Sequence, residues 1–274
     1  MIKMIATDID GTIFNMETAK FSDNVKNCIK NLTDAGIKIV LITGRMHKST
    51  FFLADELGLD TPIVSYQGGL IKENKINGKT LYQKNLDTQK AKEIIHWAKD
   101  NNIHINLYMD DVLYVEKDDE IAKRYTYLRN VDYKVVNFDN LDIKNVNKLL
   151  AIDYDNPDNS TKWRDYLSNK YPELAIVKSS PYFCEISDIG AKKSCAVEFL
   201  RKYWNFKQDE VLTIGDQDND IELLKSGGIK VAMGNATEKL KQYADYITDT
   251  IDNDGFVKAA EKFVLINNKE VNNV

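Results

Sequence analysis

Two acidic segments carry the densest chemistry in the chain: Asp8-Ile9-Asp10-Gly11-Thr12 and Gly215-Asp216-Gln217-Asp218-Asn219-Asp220. Each follows an apolar run, IKMIAT at 2–7 and VLTI at 211–214, that reads as a buried strand. Residues two apart on an extended segment face one side, so Asp8 and Asp10 can share one space at the strand's carboxyl end. Open α/β sheets bind ligands there. One carboxylate can then act as nucleophile or metal ligand and the other as proton donor and acceptor. Gly11 permits the sharp exit that exposes them, and an acidic strand-to-loop turn explains this segment alone equally well. In the second segment, Asp216, Asp218 and Asp220 repel one another unless a cation sits among them. A helix cap accounts for one acid, not all of them. Oxygen ligands without His or Cys point to Mg²⁺ rather than zinc.

Two weaker sites accompany them. Thr43-Gly44-Arg45 follows the apolar run IKIVLI, and a hydroxyl with backbone N–H groups at a helix start suits a phosphate, though an ordinary N-cap is the plainer reading of this segment alone. Lys192-Lys193 opens a helix, where cations oppose the helix dipole. A lysine facing a phosphate accounts for that placement better than a solvated one.

The elements that must position these residues alternate in type. A strand at 2–7 precedes a helix capped by Ser22 with Val25, Cys28, Ile29, Leu32 and Ala35 on one face. A strand at 37–43, a helix carrying Phe51, Phe52, Ala54 and Leu57, and a strand at 62–66 follow. Apolar strands between amphipathic helices indicate a parallel sheet covered on both faces. Residues 68–83 read as short antiparallel strands turning at Asn77-Gly78. From Thr88 to Tyr182 the pattern is mixed: a helix over 88–101, then a hairpin of HINLYM and VLYVEK joined by Asp110 and Asp111. NKLLAIDY, a helix through Trp163 and Leu167, LAIVKSS and YFCEIS continue it, and after Gly190 helix and apolar strand alternate again. The fold expected is therefore α/β: a Rossmann-like parallel-sheet core at 1–84 and 186–274 with an α+β domain inserted at 85–185. The segment 267–274 reads as a frayed tail.

Composition narrows the class. With 274 residues, 43% hydrophobic and 29% charged, the chain is built to fold. A net charge of −5 without a basic block disfavours nucleic acid. No apolar run reaches the roughly 20 residues of a membrane span, and no signal peptide is read at the start, so a cytoplasmic location is expected. Cys28, Cys184 and Cys195 read as small buried hydrophobes, and His47, His96 and His104 form no metal-ligand pair.

The ordered set DxDGT (8–12), LITGR (41–45), GAKKS (190–194) and GDQDND (215–220), trailed by VAMGNA (231–236), resembles the haloacid dehalogenase superfamily. It is similar above all to the Cof-type phosphatases, whose cap domain is inserted between the second and third motifs. The resemblance implies hydrolysis of a small phosphorylated metabolite, with sugar phosphates the leading class, through an aspartyl-phosphate. By position it makes Asp8 the nucleophile and Asp10 the general acid and base. It implies Mg²⁺ held by the Asp8 carboxylate, the Asp10 carbonyl and Asp216, with Asp220 behind them. Thr43, the Gly44 N–H, Lys193 and Asn219 would hold the phosphoryl oxygens, Lys193 being chosen over Lys192 by its distance from Gly190. The inserted segment would select the substrate, with Tyr108, Asp110, Asp111 and Tyr114 as candidates and a solvated turn as the plainer reading of the two acids. Gln67 stands where many relatives have Asn, and Ser194 where Gly is frequent. A phosphomutase and a phosphoacceptor or sugar-phosphate-binding protein without turnover are the rival readings. Oligomeric state is left open.

Overall fold

The computed structural model describes residues 1–75, 77–129 and 131–265, so the expected frayed tail at 267–274 lies outside the described residues. The described residues divide into two compact units, 1–81 with those from 192 onward, and 82–191.

In the first unit β1 (Met4–Thr7) is buried along its whole length. Two short strands, β2 (Phe14–Asn15) and β3 (Lys20–Phe21), pair antiparallel after it. In α1 (Asp23–Asp34), the Ser22 hydroxyl accepts the Val25 N–H at 3.2 Å, and Val25, Cys28, Ile29 and Leu32 are buried. Burial of each such side chain contributes roughly 1.5–3 kcal/mol. β4 (Lys38–Leu41) leads to α2 (His47–Glu56), where Ala54 is buried but Phe52 is 72% exposed. Phe51 packs partly against the core, while Phe52, about 100° further round the helix, faces out. Among the described residues, β5 (Ile63–Ser65) meets the main sheet through the single parallel bridge Ile42–Val64. It pairs antiparallel with β6 (Leu70–Lys72), in a three-stranded sheet completed by β7 (Thr80–Gln83), rather than continuing the parallel sheet as its apolar run suggests.

The second unit begins with α3 (Thr88–Asp100), capped by the Asp87 carboxylate. The hairpin of β8 (His104–Met109) and β9 (Val112–Val115) turns through Asp110 and Asp111, whose φ values of +51° and +57° suit a two-residue turn. α4 (Glu120–Arg129) and β10 (Tyr133–Val135) follow. Neither was anticipated: EIAKRYTYLR lacks a clear apolar stripe, and β10 is a three-residue edge strand. β11 (Val146–Ile152), α5 (Pro157–Lys170), β12 (Leu174–Ser180) and β13 (Phe183–Asp188) complete a six-stranded sheet in the order β10-β9-β8-β11-β13-β12. Ala91, Ile94 and Ala98 of α3 and Leu167 of α5 pack with Leu107, Leu149 and Ile186 in one core. Tyr108 is buried and donates its hydroxyl to that of Tyr125 at 2.6 Å, while Asp110 accepts from Asn145 at 3.0 Å. β13 pairs with β12 as far as Asp188, and the second unit runs on to 191.

The chain returns through α6 (Lys193–Tyr203), β14 (Val211–Gly215), α7 (Ile221–Ser226), β15 (Ile229–Ala232), α8 (Glu238–Lys241), β16 (Tyr246–Ile247) and α9 (Gly255–Ala260). Its sheet is parallel throughout, in the order β16-β15-β14-β1-β4. Thr7 pairs with Ile214 on one side and Leu41 on the other, so the residues just past β1, β14 and β4 emerge side by side. Cys28 and Cys184 are buried; Cys195, on the first turn of α6, is partly exposed, contrary to expectation. Among the described residues no helix is long and apolar enough to cross a membrane.

Candidate active site

The ladder continues one residue past β1, where the Asp8 N–H donates to the Ile214 carbonyl at 3.0 Å, so Asp8 leaves the sheet beside Asp216. The chain turns at Gly11 with φ +82°. Asp220 comes from one turn of 3₁₀ helix after β14, and its Oδ2 accepts the Asp216 and Gln217 N–H groups at 3.0 Å each. Asp8, Asp216 and Asp220 are all buried and offer carboxylate oxygens within 4.8 Å of one another. Lys193, at the first position of α6, is 2% exposed and donates to Asp8 Oδ1 at 2.5 Å and Asp220 Oδ1 at 2.6 Å. Lys192, its neighbour, is exposed.

The electrostatics follow from this burial. Desolvation raises the Asp8 carboxyl well above the ordinary range; Asp220 and Asp216 add to that rise, and Lys193 opposes it. Burial also pushes Asp216 up to about 6, against hydrogen bonds from Gln217 and Thr12. For Lys193, burial works to lower the ammonium, but the charges of Asp220 and Asp8 outweigh it and raise the group. Three carboxyl groups thus face one ammonium. When all are ionised the excess is the charge that a divalent cation matches, and the donor set is all oxygen. The residues therefore fit a divalent cation, which Asp8 and Asp216 could hold, with Asp220 behind them, its oxygens already accepting from Lys193 and the Asp216 and Gln217 N–H groups.

Several partners were not singled out from sequence. Thr12 is fully buried and donates to Asp216 Oδ1 at 2.8 Å, while Gln217 Nε2 donates to Asp216 Oδ2 at 2.9 Å. Arg45 grips Asp10: Nε donates to Asp10 Oδ2 at 2.8 Å and a terminal nitrogen to Oδ1, with the guanidinium 5.2 Å from the Phe14 ring centroid. Both Thr12 and Arg45 stood inside quoted motifs, but only spatial proximity reveals their partners. Thr43 is buried, its hydroxyl accepting the Arg45 N–H at 3.1 Å. Asn219 is exposed and donates to Gln67 at 3.3 Å. Asp218 turns away, accepting from Thr237 and Lys239 at 2.7 and 3.2 Å. That outward acid behaves as the ordinary solvated residue of the cluster.

A proton competes with any cation for Asp216, so the pH dependence of binding has a definite sign. Mg²⁺ affinity is expected to weaken as pH falls through about 6, by up to about tenfold per pH unit for this group. Isothermal titration from pH 5 to 8 checks this, with Asp216→Asn expected to weaken binding and flatten the slope.

A family profile for haloacid dehalogenase-like hydrolases matches residues 5–259. A 5-amino-6-(5-phospho-D-ribitylamino)uracil phosphatase of Bacillus subtilis is 31% identical over 264 residues, covering 96% of each chain. A crystal structure from Thermotoga maritima superposes with a TM-score of 0.86 at 32% identity, over 96% of this chain and 98% of that one. A sugar phosphatase of haloacid dehalogenase subclass IIB, 23% identical, shares the fold with a TM-score of 0.83 over 95% of this chain and 98% of its own. With the acid cluster and its lysine at the carboxyl edge of a parallel sheet, this chain belongs to the haloacid dehalogenase superfamily, among its Cof-type phosphatases.

Proposed function

We propose that the protein is a Mg²⁺-dependent phosphatase that hydrolyses a small phosphorylated metabolite, a sugar or polyol phosphate, through an aspartyl-phosphate on Asp8. The observation that carries this reading is the Asp8 carboxylate, 2.5 Å from the Lys193 ammonium and sharing its oxygen cluster with Asp216 and Asp220. Phosphoryl transfer demands placement and charge neutralisation, because an anionic nucleophile must approach an anionic phosphate. When bound by Asp8, the Asp10 carbonyl and Asp216, Mg²⁺ would supply that neutralisation. Lys193 holds the nucleophilic carboxylate in place, and Thr43, the Gly44 N–H, Lys193 and Asn219 are assigned to the phosphoryl oxygens. An Asp8 oxygen attacks phosphorus, the bond to the leaving oxygen breaks, and Asp10 gives that oxygen a proton. Water then attacks the same phosphorus, its proton passes to Asp10, and the Asp8 carboxylate is restored.

The Bacillus relative is named for a phosphate carried on a ribityl chain, which supports a polyol or sugar leaving group. Selection of that group falls to the inserted unit in this reading. Inorganic phosphate released from a panel of phosphorylated metabolites, with Mg²⁺ and with EDTA, tests the proposal. Release that survives EDTA unchanged contradicts the metal assignment.

Arg45 engages each oxygen of Asp10 once, which orients the carboxyl and leaves each oxygen a second site for a proton or a leaving group. Asp10→Asn is expected to slow leaving-group release from alkyl phosphates by about 10²–10⁴-fold, and from p-nitrophenyl phosphate much less, because that leaving group departs without a proton. Leaving-group release in the first turnover, which precedes the water step that Asp10 also serves, reads the difference on the two substrate types. An equal loss on both contradicts the acid role.

A further inference from the structure

Two amides from distant parts of the first unit meet beside the acid cluster: Asn219 Nδ2 donates to Gln67 Oε1 at 3.3 Å. The loop carrying Gln67 has an uncommon backbone. Tyr66, Gln67 and Gly68 have successive φ values of +52°, +59° and +106°, and side-chain-bearing residues seldom occupy that region. Neighbouring strand ends hold it there: the Tyr66 N–H donates to the Arg45 carbonyl at 3.0 Å and the Gln67 N–H to the Thr43 carbonyl at 2.9 Å. A Cβ at Gly68 would stand 2.2 Å from the Lys192 carbonyl oxygen, so the loop is pressed against the start of α6. The Gln67 amide fills space that Gly44 leaves open, since a Cβ on Gly44 would stand 2.6 Å from Gln67 Nε2. One side chain on a rigid loop therefore spans from Gly44 to Asn219.

We propose that Gln67 is a positioning residue that acts through Asn219. Asn219 is exposed on a single 3₁₀ turn, where an unrestrained amide would exchange between staggered rotamers. The bond to Gln67 selects one of them. Of the two hydrogens on Asn219 Nδ2, one goes to Gln67 and the other remains for an anion at the site. Ordering the amide before substrate arrives removes that cost from binding. This inference rests on the phosphatase reading, which assigns Gly44 and Asn219 to the phosphoryl group.

The test is a double-mutant cycle with p-nitrophenyl phosphate and Mg²⁺, inorganic phosphate serving as competitive inhibitor. Gln67→Met keeps the length of the side chain and removes the acceptor. It is expected to raise KM and the inhibition constant for phosphate about three- to tenfold, with kcat changed by less than about twofold. On an Asn219→Ala background the same substitution should change nothing further. In Gln67→Glu, which retains an acceptor oxygen, Asn219→Ala should still cost its full effect, and this arm serves should the Met variant lose thermal stability. Losses that multiply across the cycle, or a Gln67→Met enzyme with unchanged KM, overturn the inference while leaving the phosphatase reading standing. A wild-type protein that releases phosphate from no substrate fails that reading and takes this inference with it.

Discussion

Asp8→Asn is expected to remove turnover, by at least about 10⁴-fold in kcat, while leaving the fold and its thermal midpoint nearly unchanged. The amide keeps the shape of the carboxylate and still offers an oxygen to Lys193, which donates to Asp8 Oδ1 at 2.5 Å in the wild type. It cannot form an acyl phosphate. The substitution also removes one of three buried carboxyl groups that repel one another, so the metal-free variant should be at least as stable as the wild type. Loss of activity together with loss of fold would point to a structural role instead. Phosphate release and thermal unfolding, measured on one preparation, separate the two.

Lys193→Met is expected to have the largest effect on stability. Its ammonium is 2% exposed and bridges Asp8 and Asp220, and methionine fills similar volume without charge. Removing one partner from a buried ionic network costs about 3–5 kcal/mol, because the remaining charges lose their compensation. Two features distinguish this from a packing defect. Added Mg²⁺ should recover part of the loss, since a cation among Asp8, Asp216 and Asp220 replaces the missing positive charge. Lower pH should do the same. Burial holds Asp216 near 6 and Asp8 above its ordinary range, so both become neutral as pH falls, and the deficit relative to wild type shrinks below about pH 6. Activity should fall about 10²–10³-fold even with Mg²⁺ present, because a fixed charge facing the reacting groups is gone. Denaturant unfolding at pH 5 and pH 8, with and without Mg²⁺, reads these terms.

The strands that carry the site were legible because each is a short apolar run closed by Asp, Thr or Gly. IKMIAT ends at Asp8, VLTI at Gly215 and IKIVLI at Thr43, and the parallel register sets those ends side by side. The pairings across space were not. Nothing in the spacing of 8–12 and 41–45 says that Arg45 grips Asp10, or that Thr12 turns its hydroxyl to Asp216. Gln67 was noted as a departure from the common residue, yet its bond to Asn219 depends on the left-handed backbone at Tyr66 and Gln67, which sequence does not announce for residues other than glycine. In the inserted unit, α4 and β10 escaped notice because a weak stripe and a three-residue edge strand leave little periodicity to read. Phe52 misled for the opposite reason, an apolar residue on the solvent side of its helix.

The covalent intermediate is the central claim, and trapping it is the most direct test. A substrate identified by phosphate release is mixed with the enzyme and Mg²⁺, quenched within the first turnovers and reduced with borohydride, which converts an aspartyl-phosphate to homoserine. Peptide mass spectrometry is then expected to find homoserine at position 8, only when substrate is present and not in Asp8→Asn. Sustained phosphate release with an unmodified Asp8, or with the modification at another carboxylate, would contradict the account.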